Sequence, residues 1–136
     1  MSQEAQMCVS GCGEVETAHH LFLSCATFSE LWRCVRDWLG VYEADPIDIS
    51  DHFQQFIFLV GSAPKRRSFM QLFWLLYVWI IWNERNNRLF KNKALSIHQL
   101  LEKVNMHSYW WMKAANAVFV LGVHSWLVSP LVCLGM

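Results

Sequence analysis

The sequence predicts a mainly α-helical protein: a small N-terminal lobe followed by a helical bundle with one long central helix. Three observations carry that expectation. Apolar residues recur at helical spacing in successive segments from Phe28 onward. Glycine and proline are scarce, six and three in 136 residues, whereas eight Trp and nine Phe are present, a balance that favours long helices over strands and turns. Three of the five cysteines and two adjacent histidines fall between residues 8 and 25, a grouping that asks for chemistry rather than burial. A hydrophobic content of 54% is ample for the core of one domain of this length.

The N-terminal lobe is organised by the pattern C-x3-C-x7-H-x4-C, formed by Cys8, Cys12, His20 and Cys25. Three thiolates and one neutral imidazole suit a tetrahedral zinc ion, and with all four bound the shell is closed, so the metal is structural rather than catalytic. Gly11 and Gly13 allow the positive φ that a tight turn around the metal needs. His19 competes with His20 for the fourth place. The H-x4-C spacing, shared with zinc knuckles, favours His20, but the sequence leaves the choice open. The bland alternative is a set of buried thiols, since free cysteine is commonly buried. An odd number of cysteines grouped at one end with histidine argues for metal over a disulfide framework, and Cys34 and Cys133 read as packing residues. No secretory signal is visible at the N-terminus, which points to an intracellular setting, nucleus or cytoplasm.

Thr27-Phe28-Ser29-Glu30 has the form of a capping box and predicts a helix over 28–39, with Phe28, Leu31, Trp32, Val35 and Trp38 on its apolar stripe and Gly40 as its stop. Residues 41–49 read as a linker. A short helix follows from Asp51, facing inward with Phe53, Phe56, Ile57 and Val60. Pro64 opens the longest helix, 64–91, which at 1.5 Å per residue is on the order of 40 Å long. From Phe69 to Trp82 only Gln71 is polar, which places this segment at the centre of the bundle. Fourteen such residues fall short of the roughly 17–25 that span a bilayer, so no membrane span is expected. Glu84 and Arg88 have the spacing of a surface ion pair contributing about 0.3 kcal/mol. Arg85 has no partner on its own helix and could meet Glu16, Asp37 or a phosphate. Ser96-Ile97-His98-Gln99 is a second capping box, opening a helix over 97–119 in which Trp111 packs inward and Trp110 is partly exposed. The chain thus divides into a lobe with its following helix at 5–45, a helical region at 46–121 and an apolar tail without period at 122–136, which either packs along the bundle or lies exposed.

Net charge is zero but lopsided. Residues 1–51 carry nine acidic side chains against Arg33 and Arg36, a balance of −7, and the remainder is +7. The lobe is therefore a poor electrostatic partner for phosphate, and any nucleic-acid contact is expected through Lys65, Arg66, Arg67, Arg85, Arg88, Lys91 and Lys93. The same asymmetry would equally serve a protein-interaction scaffold whose acidic half docks on a basic half. No paired polymerase-type acids, glycine-rich phosphate loop, HExxH or nucleophile elbow is present, so neither catalysis nor a small-molecule substrate is expected.

Two blocks resemble a known family. Cys8 to Gly40, with CxxxCG, Glu16-Thr17, His20-Leu21-Phe22, Cys25, Leu31-Trp32 and Trp38-Leu39-Gly40, is similar to the zinc-binding domain C-terminal to the reverse transcriptase of plant non-LTR (LINE-type) retrotransposons. Trp79 to Phe90, with its WxxWxxRNxxxF pattern, resembles the segment that often follows that domain. The three-residue gap between Cys8 and Cys12, where many relatives have two, and the doubled histidine depart from the pattern. The resemblance implies a non-catalytic zinc module that assists RNA or DNA binding beside a reverse transcriptase polymerase region, or a remnant of such an element that no longer functions.

Overall fold

A computed structural model describes residues 6–41, 48–59, 61, 63–114 and 123–133 of the chain. It is a helical bundle without strands among those residues, with the Cys/His cluster at its N-terminal end. Six α-helices follow a short π-helical turn: α1 Phe28–Leu39, α2 Ile49–Ile57, α3 Pro64–Phe90, α4 Ile97–Ala114, α5 Val123–Val128 and α6 Pro130–Cys133. No helix among the described residues is long and apolar enough to cross a membrane.

The first helix begins where expected but for another reason. Thr27 is itself in the helical region and makes no side-chain cap, and Glu30 turns to Arg33 instead of reaching back. The Ser29 amide is taken by the Cys25 carbonyl at 2.8 Å, so the backbone of the lobe caps α1 in place of the capping box. Gly40, at φ +75°, ends the helix with its amide on the carbonyls of Arg36 and Asp37. The buried stripe of α1 is Phe28, Leu31, Trp32, Val35 and Leu39, while Trp38 is half-buried.

Helix α2 starts two residues before the expected Asp51, because the Asp48 carboxylate accepts the Asp51 amide at 2.8 Å and so caps an earlier turn. Its inner face is also rotated: His52 and Phe56 are buried, Phe53 and Ile57 are half-buried, and Val60 lies outside the described residues. A histidine can face the core here because Trp74 Nε1–H donates to His52 Nδ1 at 2.9 Å, and the ring packs 4.7 Å from Trp32.

Helix α3 is the spine, but it is not covered all round. Phe69, Met70, Phe73, Leu76, Tyr77, Ile80 and Ile81 are buried, whereas Leu75, Trp79 and Trp82 keep 43%, 44% and 46% of their surface in solvent. Among the described residues, neighbouring helices leave that side of α3 partly open, so an apolar sequence at every position does not guarantee a partner at every position. Tyr77 meets Trp32 at 4.3 Å and donates to the Phe28 carbonyl at 3.1 Å, and burial pushes its phenol far above the ordinary range.

The second capping box does form. The Ser96 amide donates to Gln99 Oε1 at 2.9 Å, and the Gln99 amide donates to Ser96 Oγ at 3.1 Å. Ser96→Ala is therefore expected to lower stability by about 1 kcal/mol, read as a lower urea midpoint with an unchanged slope. Helix α4 buries Leu100, Val104, Ser108 and Met112; Trp111 is half-buried and Trp110 is 55% exposed, while residues 115–119 of the expected helix lie outside the described set. The described part of the tail, 123–133, forms two short helices anchored by Trp126 and Pro130. Trp126 of α5 is fully buried, stacked 5.9 Å from Phe73, with its Nε1–H on the Asn105 carbonyl and the Ser108 hydroxyl.

Candidate metal centre

Two backbone devices bring the four ligands together. Met7 pairs antiparallel with Val15, the Cys8 amide donating to the Glu14 carbonyl at 2.9 Å and the Glu16 amide to the Gln6 carbonyl at 2.8 Å. This ladder doubles the chain back so that Cys8 and Cys12 share one side, and Gly11 and Gly13 make the reversal at φ +76° and +91°, where a side chain would be strained. The second device is the π-helical turn His20–Ser24, entered through the Thr17 hydroxyl, which accepts the His20 amide at 3.0 Å. In an α-helix, residues five apart point about 140° away from each other. Here the Cys25 amide closes on the His20 carbonyl at 2.7 Å, an i→i+5 bond, and the wider turn sets both side chains on one side.

The four ligand atoms lie within 4.8 Å of one another. Cys8 Sγ is 3.7 Å from Cys25 Sγ, Cys25 Sγ is 4.0 Å from Cys12 Sγ, and Cys12 Sγ is 3.2 Å from His20 Nε2. No pair approaches the roughly 2.05 Å of a disulfide, and all five cysteines are free. The choice between histidines is resolved by placement: His20 is buried in the cluster, and His19 is exposed with its Nδ1 3.5 Å from the Ser24 hydroxyl. Ser24 Oγ also lies 3.4 Å from His20 Nδ1, which leaves Nε2 for a metal.

One contributor was not visible in the sequence. The Ser10 hydroxyl sits 3.2 Å from both Cys8 Sγ and Cys25 Sγ, inside the turn. Its only sequence signal is its position between the first two cysteines. It also leads the causes that lower the Cys12 thiol to about 6, followed by the Glu14 backbone, against the opposing effect of burial. Burial pushes the Cys8 thiol up, so of these two thiols Cys12 ionises first. Three soft thiolates and an imidazole, gathered at these separations, could hold a metal ion.

Comparison with protein-family models, with curated proteins and with solved structures gave no match. The assignment therefore rests on the side chains themselves.

The basic residues singled out by the sequence do not form one surface. Arg85 is committed to Glu16, with Nε to Oε1 at 2.8 Å and Nη2 to Oε2 at 3.0 Å, and its guanidinium lies 5.0 Å from the Trp82 ring. This bidentate pair, with both side chains about 15% exposed or less, fastens the metal lobe to α3. Arg88 is committed to Glu84 at 2.7 Å, and because the Glu84 side chain is 1% exposed this is a buried pair, not the surface pair the spacing suggested. Lys65, Arg66 and Arg67 lie in the first turn of α3, and Lys91 and Lys93 lie beyond its end, about 40 Å away by helical rise.

Proposed function

We propose that this chain is a non-catalytic zinc-binding module of the kind that follows the reverse transcriptase of plant non-LTR retrotransposons, and that it assists RNA or DNA binding. The observation that carries the reading is the cluster of Cys8, Cys12, His20 and Cys25, the same residues on which the resemblance rests. Zinc fits the spacing. With Zn–S near 2.3 Å and Zn–N near 2.0 Å, a tetrahedral shell separates neighbouring donors by about 3.5–3.8 Å. The separations of 3.7, 4.0 and 3.2 Å bracket that range. Four protein ligands leave no open position, so the ion would brace the fold rather than activate water. The polymerase region of the same element is the natural neighbour.

Phosphate contact is assigned to Lys65, Arg66 and Arg67. Three cations in a first turn that holds no acid oppose the helix dipole, and a phosphate there would relieve that repulsion. Anisotropy titration of labelled RNA and DNA over a salt series tests this. The Lys65→Ala, Arg66→Ala, Arg67→Ala triple variant should bind more weakly and flatten the slope of log K against log salt by about 2–3. Unchanged binding in the triple variant, with loss on altering the lobe surface, would refute the assignment. A protein-interaction reading is favoured by one observation, the docking of acidic Glu16 on basic Arg85 within this chain. It predicts salt-sensitive self-association and no nucleic-acid response.

A further inference from the structure

Between α3 and α4, on the side of the spine left partly open, lies a cleft of about 230 Å³ that the metal lobe does not touch. That is less than the roughly 300–1,000 Å³ of sites for drug-sized ligands, so it has room for one base, with a sugar and phosphate left at its rim beside the exposed Lys91 and Lys103. Its lining combines three kinds of group. Trp79 and His107 contribute rings that pack on each other, their centroids 5.6 Å apart and their planes tilted by 49°, and Trp79 is 44% exposed. Lys91 and Lys103 are exposed cations, and neither makes an ion pair among the described residues. Glu84 is the buried polar group of the lining. Its Oε2 accepts from Arg88 and from the Leu95 amide, while its Oε1, equally buried, has no hydrogen-bond partner among the described residues.

The geometry points to this cleft as a site for one nucleotide, its base against Trp79 and its phosphate on Lys91 and Lys103. The three groups match three parts of one ligand. A flat ring stacks on indole whatever its sequence identity. The phosphate meets two cations that have no ion-pair partner among the described residues. The Arg88 guanidinium already balances the Glu84 charge, so Oε1 calls for a neutral N–H donor rather than a metal or an amine cation. An exocyclic base amine supplies that donor, whereas the only ring N–H of uracil or thymine is flanked by two carbonyls that would face the carboxylate. Cytosine, adenine and guanine are therefore preferred. The ligand can be a free nucleotide or one residue of a single strand. The site is separate from the Lys65–Arg67 contact proposed above and stands or falls independently of it.

Titration of the isotope-labelled full chain with CMP, UMP and inorganic phosphate, following the Trp79 indole N–H by NMR, tests the site. CMP should shift that signal saturably and bind about tenfold tighter than UMP. Lys103→Glu, at an exposed position, should weaken CMP about tenfold, while Arg33→Ala, an exposed cation on α1, leaves it unchanged. Glu84→Gln should narrow the gap between CMP and UMP. Saturation by free CMP identifies a nucleotide site; saturation only by oligocytidine, weakened by Lys103→Glu, identifies a strand contact. The proposal is overturned if neither CMP nor oligocytidine saturates, if CMP and UMP bind alike, or if inorganic phosphate competes on equal terms. RNA binding lost in the Lys65–Arg67 triple variant but intact in Lys103→Glu, with no nucleotide shift, would sink the cleft and spare the proposed function.

Discussion

Chelation of the folded chain is expected to release about one zinc per chain and to unfold residues 6–27 while leaving α1 to α4 helical. Apart from a metal, the lobe is held among the described residues by a single antiparallel bridge, one π-helical turn, the Glu16–Arg85 pair, and Cys8, Leu21 and Cys25 as its buried apolar residues. Structural zinc contributes an apparent 10–16 kcal/mol or so in isolated zinc-finger peptides, far more than those contacts can replace. The helices beyond it keep a core of their own, in which Trp32 packs on Phe56 and Tyr77, and Trp126 on Phe73. Circular dichroism should therefore change modestly. Hydrogen exchange should change sharply at the Cys8 and Glu16 amides, whose bonds form the ladder. Cys12→Ser should reproduce the effect by elemental analysis, and Cys34→Ser, on α1 and outside the cluster, should retain full metal content. A folded chain purified without metal, with those amides protected in the presence of chelator, would remove the zinc assignment.

The parts of this molecule that the sequence made legible are those where a residue type has one common use. Cys8, Cys12 and Cys25 could be grouped because three cysteines so close together, with histidine between them, most often serve a metal. The long helix could be bounded within a residue because Pro64 begins it, and Ser96 with Gln99 announced α4 through a local hydrogen-bond exchange. Where a distant group decides, the sequence did not settle the outcome. The Thr27 capping box lost to the Cys25 carbonyl, and the inner face of α2 turned on Trp74, 22 residues away, satisfying His52. Arg85 met Glu16 across 69 residues, one of the partners the sequence had named without being able to choose among them. The H-x4-C spacing favoured His20 over His19, as the cluster has it, but the π-helical turn that places His20 there left no signal in the residue types. The tail hid α5 and α6 because helices of six and four residues are too short to display a period.

Arg88→Ala is expected to destabilise the chain by about 3 kcal/mol, lowering the melting temperature by on the order of 10 °C. The reason lies in burial rather than in charge alone. Glu84 Oε2 accepts Arg88 Nε at 2.7 Å and the Leu95 amide at 2.8 Å, while Arg88 Nη2 donates to the Leu95 carbonyl at 3.0 Å. This closed ring ties the last turns of α3 to the entry of α4, and the Arg88 guanidinium also lies 5.1 Å from the Phe28 ring of α1. Removing the arginine leaves a carboxylate with 1% of its side chain exposed and only one amide to meet it. Replacing both partners, as in Glu84→Leu with Arg88→Met, removes the buried charge altogether and should recover most of the loss. The contrast is Glu30, Arg33 and Asp37 on α1, whose side chains are 46–56% exposed. Glu30→Ala should leave the urea midpoint nearly unchanged, and more nearly so in high salt. Urea unfolding of the four proteins separates the cases. Equal midpoints for Arg88→Ala and Glu30→Ala would mean that the ring at the α3–α4 junction is a surface pair after all, and that the anchoring of α4 has to be sought in its apolar face alone.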